Sequence, residues 1–217
     1  MTRIAIIGGH GNVALHLARD LTSSGHQVSS LFRNPDHAAD VEATGAAPVV
    51  ADVENLSTAQ IRDLIAGHDA VVWSAGAGGG SPERTYAVDR DAAIRTIDAA
   101  AEAGARRFVM VSYFGAGPDH GVSSDNGFFA YAEGKAAADT HLRESGLDWT
   151  ILGPSALTMD KGTGRIETGP DISSSQVARE DVAAVAAAVL ERPATIGQVI
   201  EFNNGDTPID EALDRLS

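Results

Sequence analysis

The chain contains no cysteine. A disulfide framework, a thiolate metal site and redox chemistry by a protein thiol are therefore excluded, and any electron transfer depends on a borrowed cofactor. Long apolar runs are missing too. The N-terminal run Ile4-Ala5-Ile6-Ile7 is far too short for a secretory core or a membrane span, and no later stretch approaches the ~20 apolar residues of a transmembrane helix. Positive charge is scarce. Sixteen Lys and Arg face 30 Asp and Glu, a formal net charge of −14, with no basic stripe to offset it. Nucleic acid and anionic membrane should be repelled. The seven histidines at 10, 16, 26, 37, 68, 120 and 141 show no metal-ligand spacing, so no metal site is expected. These absences point to a soluble, cytoplasmic protein, and 217 residues without a long linker suit one domain spanning 1–217.

Short apolar runs are what the chain does have. Ile4 to Ile7, Val28 to Phe32, Pro48 to Val50, Ala70 to Trp73, Phe108 to Val111, Trp149 to Leu152 and Gln198 to Phe202 read as buried strands. Helix patterns lie between them near 11–24, 57–66, 84–103 and 129–144, followed by others from Arg179 and around Asp210. Several close on Gly25, Gly67, Gly104 or Gly146, glycine being suited to the left-handed residue that ends a helix. Alternation of this kind predicts a Rossmann-type α/β fold: a doubly wound parallel sheet with right-handed crossovers and strand order near 3-2-1-4-5-6. Two glycine-rich stretches, Gly76 to Ser81 and Gly115 to Gly127, directly follow strands, where open α/β sheets place their ligands. A third irregular stretch, Met159 to Ser175, has room for a short extra strand or hairpin.

The first strand runs into Gly8-Gly9-His10-Gly11-Asn12-Val13-Ala14 and at once into the helix pattern Val13, Leu17, Leu21. Gly8 can take the dihedrals of a tight turn, Gly11 lets backbone approach a pyrophosphate, and Ala14 is small enough for helix to pack on strand. The helix N-terminus adds amides and a positive dipole end, and His10 borders the same turn. This strand, turn and helix context marks a dinucleotide site rather than a chance glycine cluster. An NAD-specific protein places an acid at the end of the second strand; here stands Phe32-Arg33-Asn34-Pro35. Arg33 either pairs with the 2′-phosphate of NADP or simply solubilises a loop, and the first choice favours NADP(H) over NAD(H). Asp52-Val53 ends the third strand, beside the adenine or as a helix entry. Ala75-Gly76-Ala77 after the fourth either leaves room beside the dinucleotide or is an ordinary turn.

Farther on, Ser112 ends the fifth strand, and Tyr131 and Lys135 stand four apart on one helical face. A lysine ammonium beside a phenol draws its pKa down from about 10 and makes a general acid or base, with the Ser112 hydroxyl free to hold a carbonyl. The same spacing also arises readily by chance.

Taken in order, Gly8 to Ala14, Arg33, Asp52, Ala75-Gly76, Ser112 and Tyr131-Ala132-Glu133-Gly134-Lys135 resemble the short-chain dehydrogenase/reductase superfamily. More narrowly, the chain is similar to the atypical NAD(P)H-binding branch that includes flavin reductase/biliverdin reductase B and many bacterial sugar-epimerase-like proteins. Ser145 to Leu152 resembles that branch's sixth strand, and Arg179-Glu180-Asp181-Val182 the helix start that follows. The resemblance implies an NADP(H) site with Lys135 at the nicotinamide ribose, and with Pro154, Ser155 and Leu157 flanking the nicotinamide. It also implies Tyr131 as proton donor, Ser112 as its helper, and residues after about 154 on the substrate side. Gly153 departs from the arginine usual before this proline, the interval from Ser112 to Tyr131 is long, and Tyr113 is an alternative phenol. The expectation is a reductase of a small carbonyl, quinone or flavin, acting as a monomer or homodimer. The alternatives are an NADP(H)-binding redox sensor with a protein partner, or a sugar-nucleotide epimerase or dehydratase.

Overall fold

Alternation along the strands divides their side chains between two apolar cores. In β1 (Arg3–Ile7), Ile4 and Ile6 join one core and Ala5 and Ile7 the other. In β4 (Ala70–Trp73), Ala70 and Val72 part from Val71 and Trp73 in the same way. Successive strand residues point to opposite faces, so a strand apolar at every position must be covered on both. The structure, a computed structural model, describes residues 1–79 and 81–216; Gly80, within the glycine-rich stretch that opens at Gly76, and Ser217 lie outside the described residues.

The first half of the chain continues as α1 (Asn12–Ser23), β2 (Gln27–Phe32), α2 (Ala38–Glu42), β3 (Ala47–Val50) and α3 (Thr58–Ile65). After β4 come α4 (Pro82–Thr85), a π-helical segment Tyr86–Ala92 and α5 (Ala93–Ala103), which follow one another without a break. The rest comprises β5 (Arg107–Val111), α6 (Phe129–Glu144), β6 (Asp148–Pro154), β7 (Ala156–Thr158), β8 (Arg165–Thr168), β9 (Gln176–Ala178), α7 (Arg179–Leu190), β10 (Gln198–Asn204), β11 (Thr207–Pro208) and α8 (Ile209–Asp214). Among the described residues the main sheet has nine strands in the order β3-β2-β1-β4-β5-β6-β10-β8-β11. From β3 to β10 every pairing is parallel, and only β8 runs antiparallel to its neighbours β10 and β11. This is the doubly wound sheet that the sequence predicts, extended by three strands. Helices α1 and α7 pack together on one face, and α3, α5 and α6 on the other.

The stretch Met159 to Ser175 contains β8, which finds its partners in distant β10 and β11 instead of forming a local hairpin. Just outside that stretch, β7 and β9 make a separate two-stranded parallel pair. Helix α2 was not expected: its five residues bury only Val41, too little for a helical period to show. Because β1 to β6 are parallel, the residues that follow them gather along one edge of the sheet. Gly8, Arg33, Asp52, Ala75, Ser112 and Ser155 are all carried to that edge.

Candidate functional site

The turn after β1 is closed by backbone alone. The amides of Gly8 and Gly9 both donate to the Leu31 carbonyl, at 3.0 and 2.7 Å, and Gly11 donates to the Gly8 carbonyl at 2.8 Å. Gly8 has φ +82°, and a Cβ there would come within 2.6 Å of Ala75, so only glycine fits. Helix α1 then begins with Gly11 as its cap. No side chain caps it and its first turn carries no acidic residue. The first amides of a helix lack partners within it, and the dipole adds positive potential, so this start is open to an anion. A Cβ on exposed Gly11 would sit 3.2 Å from the Gly8 oxygen and fill the approach. These features fit a dinucleotide pyrophosphate. Asn12 is exposed on the first turn of α1, whereas Gly9 and Val13 are buried; Gly9 is pressed against Ser30 of β2.

A cleft of about 380 Å³ opens beside this turn, and Gly8, His10, Gly11, Arg33, Asp52, Val53, Ala75, Gly76 and Ala77 all line it. His10 bonds Asp40 at 2.9 Å and stacks on His37, ring centroids 3.6 Å apart. Asp52 accepts from the Asn55 amide group at 2.8 Å. Arg33 is exposed, with Nη1 3.6 Å from Glu54 Oε2. Arg84, from α4, approaches the same oxygen at 3.5 Å and donates from Nη1 to the Ala77 carbonyl at 2.5 Å.

The residues expected to act on substrate are placed differently from expectation. Lys135 is only 2 % exposed; its Nζ donates to the Val111 carbonyl at 3.1 Å and lies 3.6 Å from Asp89 Oδ1. In this arrangement the ammonium is turned into the protein and not offered to a ribose. Burial opposes its charge, but Tyr131, Asp89 and Asp139 together outweigh burial and its pKa is raised. The expected lowering of the Tyr131 pKa is corrected. Burial pushes the phenol up, Lys135, whose Nζ is 5.7 Å from the ring centre, pulls it down only in part, and Asp89 and Asp139 push it up again. Tyr131 is thus a neutral phenol.

Ser112 is also committed, since its buried hydroxyl donates to Asp139 Oδ2 at 2.6 Å. Burial raises the Asp139 pKa against the opposing pull of that bond and of Lys135. The neighbouring Tyr113 hydroxyl is buried without a hydrogen-bond partner among the described residues, and burial, with Tyr131 and Asp139, pushes its pKa up to about 12. Tyr113, Phe128 and Tyr131 form an aromatic cluster with ring centroids 5.1 to 5.4 Å apart. Pro154 is buried at the end of β6, and Leu157 is 38 % exposed on β7. Ser155 does not face an open site: its hydroxyl donates to Asn203 Oδ1 at 2.5 Å and accepts from the Ser175 amide, joining β6 to β10. Gly153 has a local cause. A Cβ there would lie 3.0 Å from Glu201 Cγ, and Glu201 takes that space to accept the Gly115 amide at 2.6 Å.

Sequence reasoning missed Glu54, Arg84 and Asp89. Asp89 is fully buried in the π-helical segment; its Oδ2 accepts the Ala77 amide at 3.0 Å while its Oδ1 faces Lys135. It links the glycine loop of the cleft to the helix that carries Tyr131. Its setting in Asp89-Arg90-Asp91 looks like a solvated charge run, and no pattern distinguishes it.

A family profile described as NAD(P)H-binding matches residues 8–193. The chain is 34 % identical to "Uncharacterized sugar epimerase YhfK" of Bacillus subtilis over 99 % of its length and 100 % of that protein. A Bacillus halodurans protein provisionally called an NAD-dependent epimerase/dehydratase superposes with TM-score 0.91 at 32 % identity, covering 99 % of this chain and 100 % of that one. The oxidoreductase YlbE of Lactococcus lactis superposes with TM-score 0.87 at 29 % identity, covering 99 % and 96 %.

Proposed function

The chain belongs to the NAD(P)H-binding family, and from that premise we propose that it is an NADP(H)-dependent reductase of the atypical short-chain dehydrogenase/reductase type, acting on a small carbonyl, quinone or flavin. The observation that carries this reading is the uncapped, acid-free start of α1 sharing one cleft with Arg33. The bound nicotinamide supplies the hydride. The α1 amides and dipole hold the pyrophosphate over Gly8 and Gly11. Arg33 takes the 2′-phosphate, where an acid would repel it. The Bacillus halodurans relative is called NAD-dependent, so cofactor choice in this chain rests on its own arginines. Asp89 keeps the Ala77 side of the cleft in place. Tyr131 is present as the protonated phenol, the form that a proton donor to a reduced carbonyl needs, although burial makes it a weaker acid than an ordinary tyrosine.

A second reading, an NADP(H)-binding redox sensor with a protein partner, is favoured by buried Lys135 and by Ser112 being bonded to Asp139. The names of two relatives bring in a third, a sugar-nucleotide epimerase or dehydratase. Against it, the chain after Pro154 supplies edge strands, the β7–β9 pair and helices α7 and α8, with no separate substrate lobe among the described residues.

The test is NADPH oxidation against quinones, flavins, aldehydes and ketones, beside fluorescence titration of NADPH and NADH. Tyr131→Phe should lower carbonyl turnover by ~10² to 10⁴ with little change in NADPH affinity. Flavin turnover surviving that change would remove Tyr131 from the mechanism and keep the enzyme. Tight NADPH binding with no turnover of any panel member would retire the reductase in favour of the sensor.

A further inference from the structure

Two arginines from elements far apart in the chain converge on one carboxylate oxygen. Arg33 reaches Glu54 Oε2 from the tip of β2 at 3.6 Å, and Arg84 reaches it from α4 at 3.5 Å. All three residues line the cleft that holds the glycine turn. We infer that Arg84 is a second specificity residue for the 2′-phosphate that Arg33 receives, and that Glu54 is the internal anion this phosphate displaces. The inference rests on the NADP(H) reading above and adds to it a second cation and a competitor.

Three observations support it. At 3.5 and 3.6 Å the contacts are longer than charge-assisted hydrogen bonds, so the carboxylate does not occupy the guanidinium donors, which stay open to solvent or to a ligand. A phosphate monoester carries more charge than a carboxylate and has three terminal oxygens, enough to serve two guanidinium forks at once. Finally, Arg84 is already positioned. Its Nη1 is bonded to the Ala77 carbonyl at 2.5 Å, and the Ala77 amide is in turn held by buried Asp89, so its side chain has little freedom left to lose.

Glu54 pulls the other way. A carboxylate beside the adenosine ribose accepts a bond from a free 2′-hydroxyl and repels a 2′-phosphate. Its side chain is 22 % exposed, against 58 % for Arg33 and 35 % for Arg84, so it lies deeper than the cations that it joins. Cofactor preference in this chain is therefore the outcome of a contest between Glu54 and two arginines.

The experiment is calorimetric titration of the whole protein with 2′,5′-ADP and with 5′-AMP, which differ only in the 2′-phosphate, beside NADPH and NADH. Arg84→Ala should weaken 2′,5′-ADP and NADPH by roughly tenfold and leave 5′-AMP and NADH nearly unchanged. Glu54→Gln should tighten 2′,5′-ADP severalfold and should not tighten 5′-AMP. If Arg84 serves only to close the loop through Ala77, its removal weakens all four ligands alike, which overturns the inference. Unchanged 2′,5′-ADP affinity in Glu54→Gln overturns the displacement. In either case a selective loss in Arg33→Ala would leave the NADP(H) reading standing. A wild-type protein without preference for 2′,5′-ADP over 5′-AMP would overturn both.

Discussion

Gly9 and Gly11 stand two positions apart in one turn and answer to different neighbours. A Cβ on Gly9 would lie 2.5 Å from Ser30, inside the contact between turn and β2, whereas one on Gly11 would enter the space in front of α1. Gly9→Ala should therefore cost stability, on the order of 1–3 kcal/mol for overpacking, and urea denaturation should show it with the cooperative transition retained. An unchanged midpoint would mean that the turn gives way easily. The sequence assigns Gly11 to the pyrophosphate approach but gives Gly9 no separate role; the strand packed behind Gly9 supplies one. The Tyr131 and Lys135 pair was similarly half visible. Spacing puts them on one face, but the sign of the phenol's shift depends first on burial and then on Asp89 and Asp139, which only the folded chain brings in. Tyr113, at about 12, is raised mainly by burial. Both phenols hold their protons more firmly folded than unfolded. The stability this gives is full below their unfolded value of about 10 and is lost as pH rises through the folded value. Stability measured across that alkaline range should fall less steeply in Tyr113→Phe than in the wild type; parallel profiles would contradict the assignment.

At the scale of elements, the π-helical segment between α4 and α5 matters most. It carries Asp89 into the core, where the carboxylate meets Lys135 of α6 on one side and the Ala77 amide on the other. Removing one partner of a buried pair leaves the other charge uncompensated. Asp89→Ala should cost about 3–5 kcal/mol in denaturant unfolding and weaken NADPH and NADH equally by loosening the Ala77 loop. A cost below about 1 kcal/mol would show that Asp139 alone suffices for Lys135. Strands and long helices were legible because apolar runs and helical periods are local. The π-helical turn was not, because its buried acid sits among charges that look solvated. Nor were the partners of β8, since β10 and β11 come from later in the chain.

For the whole molecule, the pattern of parallel strands and helices already implies where the ligand lies. The order 3-2-1-4-5-6 can be read from alternation and handedness, and it brings the turns after β1, β2, β3 and β4 together around one cleft. Both edges of the sheet carry proline, Pro48 in β3 and Pro208 in β11, which limits strand addition by another chain. Net charge does not reveal the site. A chain of −14 places two of its few cations at the cleft, and Arg84 is invisible there until α4 is folded back beside Glu54.

The central claim is that the open start of α1 binds the dinucleotide, and a thermal melt of wild type and Gly11→Val with and without NADPH tests it most directly. Gly11 has φ −62° and ψ 151°, an extended backbone that valine adopts readily, so the variant should still unfold cooperatively, with a modest loss of Tm from the 3.2 Å approach of a Cβ to the Gly8 oxygen. With NADPH at about a hundred times its Kd, the wild type should gain about 2.7 kcal/mol and a higher Tm, and Gly11→Val should gain nothing. Full NADPH stabilisation in a folded Gly11→Val protein would contradict the account.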